Sequence, residues 1–93
     1  MRVTLNQSGW EHAINGHPEV APHAYAAKAA VESPSAIFQS ATRKDSVLFF
    51  NHNVLAPNGD VLTVPVRVIG YDGIVTSIHF RPAAYPGDLL WKP

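Results

Sequence analysis

Histidine side chains are the groups of this sequence best suited to acid–base chemistry, since five stand among 93 residues and each can change charge near neutral pH. His79 alternates with Ser77 and Arg81 along a run whose period of two is typical of a β-strand. A hydroxyl, an imidazole and a guanidinium would then share one strand face, with about 7 Å between successive positions. Arg67 lies on the corresponding face of the preceding run. The pattern predicts a surface that binds a phosphate and supplies an acid or a base, with an ordinary solvated sheet face as the alternative.

Three other histidines, His12, His17 and His23, lie in the N-terminal part of the chain. Their spacings of five and six place them on different faces of a helix, so no metal site is predicted. His17 directly precedes Pro18 at the predicted end of a helix, where exposed carbonyl groups favour a protonated imidazole. His17 is therefore a candidate acid or base, and a helix-capping role is the alternative.

Length and composition predict one domain over residues 1–93, because 46% of the residues are hydrophobic and only 15% are charged. The absence of cysteine excludes disulfides and thiolate zinc sites. A net charge of zero argues against nonspecific binding to nucleic-acid backbones. The N-terminal residues are too polar for a signal peptide, and no apolar run could span a bilayer, so we expect a cytoplasmic protein without membrane contact. No phosphate-binding glycine loop or dinucleotide fingerprint occurs, and no cofactor is expected.

Two helices are predicted in the first third of the chain. Ser8 followed by Glu11 has the spacing of a capping box, so the first helix should run from Ser8 to about Gly16. An alanine-rich segment predicts the second helix from Pro22 to about Glu32. Its small side chains would allow a close approach to a sheet.

Strands are predicted from residue 36 onward, where the hydrophobic period changes from about 3.6 to 2. The four segments with this period are 36–40, 47–52, 62–71 and 74–80. Asn58-Gly59 and Asp72-Gly73 are strong turn signals, and short turns between consecutive strands favour an antiparallel meander. In the last strand, alternation directs Ile74 and Thr76 towards the core. The predicted fold is therefore α+β, with two N-terminal helices packed on one face of a four-stranded antiparallel sheet; residues 3–5 form a short strand or an extended arm, and residues 82–93 form a tail.

Several short motifs occur in an order that resembles a known family. They are Gly9-Trp10-Glu11-His12, His17-Pro18-Glu19-Val20, Ser33-Pro34-Ser35-Ala36-Ile37, Gly73-Ile74-Val75-Thr76-Ser77 and Pro86-Gly87-Asp88-Leu89-Leu90-Trp91. Together they span nearly the whole chain. The ensemble resembles the nuclease-like domains of phages and mobile elements in the barnase–EndoU–colicin–RelE superfamily, which have a helix–helix–sheet layout.

The resemblance implies a toxin-type endoribonuclease that cleaves RNA without a metal, by attack of a ribose 2′-OH on the adjacent phosphate. The helix-end motif maps onto His12 and His17, the basic position near the first hairpin onto Arg43 or Lys44, and the late hydroxyl onto Thr76 or Ser77. Exposure of Thr76 would require a bulge in its strand. The catalytic candidates are His12, His17, Arg43, Thr76 and His79, and the substrate-binding candidates are Lys44, Arg67, Ser77, Arg81 and Trp91.

Partners follow from the same resemblance. An active domain would bind tRNA or mRNA and would not read DNA sequence. An antitoxin or immunity protein would inhibit it. The alternative is an inactive nuclease-like domain that acts as a protein-binding or inhibitory module, which the neutral net charge favours.

Overall fold

The computed structural model describes residues 2–93, and its first helix, α1, covers Gln7–Gly16. Asn6 caps this helix, because its side-chain oxygen accepts a hydrogen bond from the Gly9 amide at 2.7 Å. The predicted start at Ser8 is therefore one residue too late, because the helix begins at Gln7. The predicted capping box of Ser8 and Glu11 is also wrong, because Asn6 caps the helix. Glu11 instead accepts a hydrogen bond from the Gln7 side chain at 3.0 Å.

A 3-10 helix over Pro18–His23 connects α1 to the second helix, α2, which covers Ala24–Glu32. The prediction placed the start of α2 at Pro22, which belongs to the 3-10 helix instead. Ala27 and Ala30 are buried against the sheet, as the small-residue face predicted. No helix within residues 2–93 is long and apolar enough to cross a membrane.

The α+β class is confirmed, because two α-helices precede most of a β-sheet. The predicted four-stranded antiparallel arrangement is wrong, because the sheet has seven strands. The strands are β1 (Arg2–Thr4), β2 (Ala36–Gln39), β3 (Ser46–Leu55), β4 (Val61–Ile69), β5 (Asp72–Val75), β6 (His79–Arg81) and β7 (Leu89–Trp91). Their order is β1-β5-β4-β3-β2-β7, and β6 pairs with β4 beside β5. The pairing of β1 with β5 is parallel, which makes the sheet mixed. The two additional edge strands come from the N-terminal arm and from the tail.

The predicted fourth strand is divided into β5 and β6 by residues 76–78, which belong to neither strand, although the Thr76 amide still donates a hydrogen bond to the Pro65 carbonyl of β4 at 3.0 Å. The predicted alternation is therefore wrong at its start: Val75 is 5% exposed on the helix side, whereas Ile74 is 39% exposed. Ile78 is also fully buried against the helices, only three positions after Val75. A continuous strand cannot bury both on one face, so the interruption is required. It leaves Thr76 exposed.

Of the two predicted hairpin turns, the one at Asn58-Gly59 is confirmed and the one at Asp72-Gly73 is wrong in position. Gly59 has a φ of 89° in the turn between β3 and β4, as the Asn-Gly pair predicted. The turn from β4 to β5 uses Gly70, with a φ of 62°, and Asp72-Gly73 already belong to β5.

The sheet has a hydrophobic core on each face. The helices cover one face, where side chains of α1, α2 and the 3-10 helix pack on β4, β5 and Phe49. On the opposite face a smaller core surrounds Phe50, and Tyr85 of the segment after β6 packs against it. That segment then enters β7, which pairs with β2. The predicted tail is thus a structural element that partly covers the second face.

Candidate functional site

Two of the predicted site residues, His17 and His79, meet at the edge of the sheet. His17 follows the end of α1, and its amide donates a hydrogen bond to the Ala13 carbonyl at 2.8 Å. His79 lies in β6, directly opposite Thr63 of β4. The imidazole rings are tilted by 46°, with 5.3 Å between their centroids. Residues from a helix end and from a late strand therefore form one contact.

Two polar side chains and one guanidinium complete this histidine cluster, which consists of His17, Glu19, Ser77, His79 and Arg81. His17 Nδ1 lies 3.4 Å from Glu19 Oε1, and His79 Nδ1 lies 3.4 Å from Ser77 Oγ. A carboxylate beside Nδ1 of His17 favours a proton on that nitrogen, which leaves Nε2 as the atom that exchanges protons with a substrate. Glu19 therefore orients His17 in the way that an acid–base group requires.

The environment of His79 keeps its imidazole neutral near neutral pH. Burial, the charge of Arg81 and the charge of His17 lower the pKa of His79 from 6.5 to about 4, while Glu19 acts in the opposite direction. Burial is the largest of these causes. A neutral histidine next to a guanidinium can accept a proton, and an anion bound beside it would raise its pKa.

Arg81 is held in place by an aromatic residue of the segment that follows β6. Its guanidinium carbon lies 5.1 Å from the centre of the Tyr85 ring, at a distance suited to a cation–π interaction. The Tyr85 hydroxyl accepts a hydrogen bond from the Ala41 amide at 2.9 Å, and the ring packs against Phe38 and Phe50. The second core thus fixes the cation of the histidine cluster.

Arg43 and Arg67 belong to a separate group, the arginine cluster, which consists of Arg43, Lys44, Asp45 and Arg67. The Nε atoms of Arg43 and Arg67 lie 3.6 Å and 3.0 Å from the two carboxylate oxygens of Asp45. Partial desolvation alone would raise the pKa of Asp45, but the two guanidinium charges and hydrogen bonds from Ser46 and Arg67 hold it below 3.8. Lys44 is exposed in the same turn.

The two clusters share a sheet face but do not merge. His79 lies opposite Thr63, and Arg67 follows four residues later on the same face of β4. Four residues of strand correspond to about 13 Å. Arg67 is therefore set apart from His79 along β4, and Arg43 contacts the same carboxylate as Arg67.

The remaining predicted site residues lie elsewhere. Thr76 is exposed next to β4, the strand that carries Arg67, and its hydroxyl donates to the Pro65 carbonyl at 3.5 Å. His12 is exposed on α1. Trp91 lies in β7, four strand spacings or about 19 Å from β6. His12 and Thr76 stay predictions as catalytic groups, and Trp91 stays a prediction as a substrate-binding residue.

Sequence reasoning missed three residues that shape these clusters: Glu19, Asp45 and Tyr85. Glu19 stands two positions after His17, which is a usable signal for a carboxylate that orients an imidazole. Asp45 lies between Arg43 and the start of β3, but its contact with Arg67 depends on the register of β3 and β4. Tyr85 carries no local signal, because its role depends on the tail folding back over the sheet.

A scan against protein-family models, a search of curated proteins and a search of solved structures each found no match to this chain. Among residues 2–93, no three side chains of His, Asp or Glu come together in a way that could hold a metal ion.

Proposed function

We propose that this chain is a small metal-independent endoribonuclease of the toxin type, acting in the cytoplasm, with His17 and His79 as its acid–base pair. The observation that carries the proposal is the contact between these two imidazoles, with 5.3 Å between ring centroids. Two histidines and an adjacent guanidinium supply the three functions that RNA cleavage by the 2′-OH requires: a base, an acid and a cation.

In the proposed reaction His79 is the base. Its neutral imidazole removes the proton from a ribose 2′-OH, and the O2′–P bond forms. His17, protonated and oriented by Glu19, donates its proton to the 5′ oxygen as the P–O5′ bond breaks. The products are a 2′,3′-cyclic phosphate and a 5′-OH, so protons and electrons balance without a further reactant.

Arg81 has two roles in this scheme. Its charge stabilises the additional negative charge on the phosphoryl oxygens in the transition state. It also contributes to the low pKa of His79. A bound phosphodiester would offset that positive charge and raise the pKa of His79, so the base becomes stronger when the substrate arrives.

The sequence resemblance to the barnase–EndoU–colicin–RelE superfamily supports the same activity. The His17-Pro18-Glu19 motif of that resemblance contains both the proposed acid and the carboxylate beside it. On this basis tRNA and mRNA are the substrates to test first, and an antitoxin or immunity protein is the partner expected to neutralise the activity.

A second candidate function is a nuclease-like domain that binds a protein and cleaves nothing. An open apolar groove of about 420 Å³ between α2 and the β1–β5 edge favours it, because such grooves accept apolar side chains of partners. Val31, Val75 and Ile78 lie in its wall, and the exposed Tyr25 lies at its rim.

The test is incubation of the purified chain with tRNA and with ribosome-bound mRNA in the presence of EDTA. Cleavage that leaves 2′,3′-cyclic phosphate ends, and growth arrest on expression, are the expected results. His52→Ala, which alters an exposed histidine of β3 whose ring lies against Phe50 rather than against His17 or His79, is the matched control for His17→Ala and His79→Ala. No cleavage of any RNA, together with a stable complex with a protein partner, would replace the nuclease with the second candidate.

A further inference from the structure

The arginine cluster is a second positively charged site on the sheet face that carries His79. We propose that it binds a backbone phosphate of the same RNA strand, one or more nucleotides away from the cleaved bond. This inference rests on the proposed function, because it specifies the substrate as an RNA strand that extends from His79 to Arg67.

Asp45 presents the two guanidiniums in a defined way. It contacts each one through Nε, and no hydrogen bond within residues 2–93 engages the terminal nitrogens of either arginine. Both side chains are exposed. The forked ends of Arg43 and Arg67 therefore remain available, and their planar geometry suits bidentate contact with a phosphate.

The turn that carries Arg43 is stabilised by side-chain hydrogen bonds of Gln39 and Ser40. The Gln39 amide donates to the carbonyl oxygens of Arg43, Lys44 and Ser46 at 3.3, 3.3 and 2.9 Å. Ser40 Oγ accepts a hydrogen bond from the Arg43 amide at 3.1 Å. A turn that is already ordered loses little conformational entropy when a ligand binds, which favours a binding role.

Charge is concentrated at this site although the whole chain is neutral. Arg43, Lys44 and Arg67 oppose the single carboxylate of Asp45, so the cluster keeps an excess of positive charge. Phosphate backbones are attracted to a local excess of positive charge, and added salt weakens this attraction.

The surface between the two clusters is compatible with a nucleic-acid strand. Pro65 lies on the same sheet face between the levels of His79 and Arg67 and is partly exposed, and Ile74 lies opposite Arg67 on β5 and is exposed. With about 13 Å between the level of His79 and that of Arg67 on β4, a dinucleotide at the histidine cluster would not reach the arginine cluster. A longer strand would.

The experiment measures binding of non-cleavable 2′-O-methyl RNA by fluorescence anisotropy, with a dinucleotide and a decanucleotide over a range of salt concentrations. The variants are Arg67→Gln, Arg43→Gln and the double variant. Lys28→Gln is the matched control, because Lys28 is also an exposed cation paired with a carboxylate, Glu32, but lies on α2. Arg43→Gln alone leaves the 3.0 Å contact of Arg67 with Asp45 intact, so at least one variant keeps the turn folded.

We expect the double variant to bind the decanucleotide about tenfold or more weakly and to reduce the salt slope by about 0.7, since each neutralised phosphate of a single strand contributes about that much. Its affinity for the dinucleotide should equal that of the unaltered chain. If the double variant binds the decanucleotide as tightly as Lys28→Gln does, the proposed phosphate site is wrong. Cleavage is measured separately on unmodified RNA: if no RNA is cleaved while binding still depends on Arg43 and Arg67, the nuclease proposal fails and the phosphate site stands.

Discussion

The imidazole of His17 lies against the imidazole of His79, with 5.3 Å between the ring centroids, although one follows a helix and the other belongs to a strand late in the chain. Positive charge on His17 lowers the pKa of His79. His79 is therefore held neutral near neutral pH beside a second imidazole, and a neutral imidazole can accept a proton.

Substitution of either histidine by alanine should remove RNA cleavage without unfolding the chain. We expect His17→Ala and His79→Ala each to lower activity about 100-fold or more, because acid–base groups commonly contribute 10²–10⁴-fold. The melting temperature should change little. His52→Ala should keep full activity. If His17→Ala instead costs around 1 kcal/mol of stability and activity follows the folded fraction, His17 is a structural cap.

Folding stability should depend on pH through His79. Since the pKa is about 4 in the folded state and near 6.5 when unfolded, the imidazole is neutral in both states above pH 6.5, where its contribution is complete. Between pH 6.5 and 4 the unfolded chain binds the proton first, so the free energy of unfolding falls. We expect a loss of roughly 1–2 kcal/mol, since the full shift corresponds to about 3 kcal/mol and partial solvent exposure screens some of it.

Urea unfolding at pH 7.5 and at pH 4.5 measures this dependence. In His79→Gln the part of the fall in the free energy of unfolding that His79 causes should disappear, whereas His52→Gln should show the same fall as the unaltered chain. An identical pH dependence in the unaltered chain and in His79→Gln would contradict the low pKa of His79.

Asp45 should titrate below its ordinary value, and Arg67 should be one cause. The pKa of Asp45 lies below 3.8 because the two guanidiniums and the hydrogen bonds outweigh desolvation. In Arg67→Gln the pKa should rise, whereas in Lys28→Gln it should not change. Carbon-detected NMR of the side-chain carboxyl measures both. The stability that this pair contributes is present above pH 3.8 and declines as the pH falls through the lowered pKa.

Gly87→Ala should detach the segment that covers the second sheet face. A Cβ at residue 87 would collide with the backbone oxygen of Gln39 and with the Tyr85 ring. We expect a stability loss of roughly 1–3 kcal/mol, as for other overpacked sites, and a shift of Trp91 fluorescence towards that of a solvated indole. Gly16→Ala, where no atom lies within 4 Å of the added Cβ, is the control and should not lose stability.

The buried amide of Asn51 should prove important for the attachment of α2. Its Nδ2 donates to the Ala26 carbonyl at 3.1 Å, and the residue is 8% exposed. Asn51→Asp removes the donor and places a negative charge near that carbonyl, so we expect a loss of about 2 kcal/mol at neutral pH. Chemical denaturation measures it, with the exposed Asn53→Asp as control. Equal stability of the two variants would contradict this role.

The sequence predicted the elements whose signals are local. The alanine-rich α2 and the Asn58-Gly59 turn were predicted correctly, because helix propensity and positive φ depend on neighbouring residues. The start of α1 was misplaced because two capping residues, Asn6 and Ser8, compete over a short distance, and the hydrogen bond to Gly9 decides in favour of Asn6.

The elements that depend on distant pairing could not be predicted. β1 and β7 have three residues each, and their partners lie far along the chain. The division between β5 and β6 follows from burying Val75 and Ile78 on one face, which period-two reasoning cannot foresee. For the same reason the sequence predicted a surface shared by Arg67, His79 and Arg81, but not that the register separates Arg67 from His79 along β4.

The parallel pairing of β1 with β5 also determines the order in which the sheet can be completed. Arg2 pairs with Asp72, so this edge closes only after the β3–β4 and β4–β5 hairpins have formed between them in the chain. Pairings that enclose most of a chain carry the largest entropy of closure and form late. Until that step, the apolar wall of the groove beside α2 lacks Val3 and is open to solvent. Amide exchange should accordingly be faster at Val3 than at Val64 in the centre of the sheet.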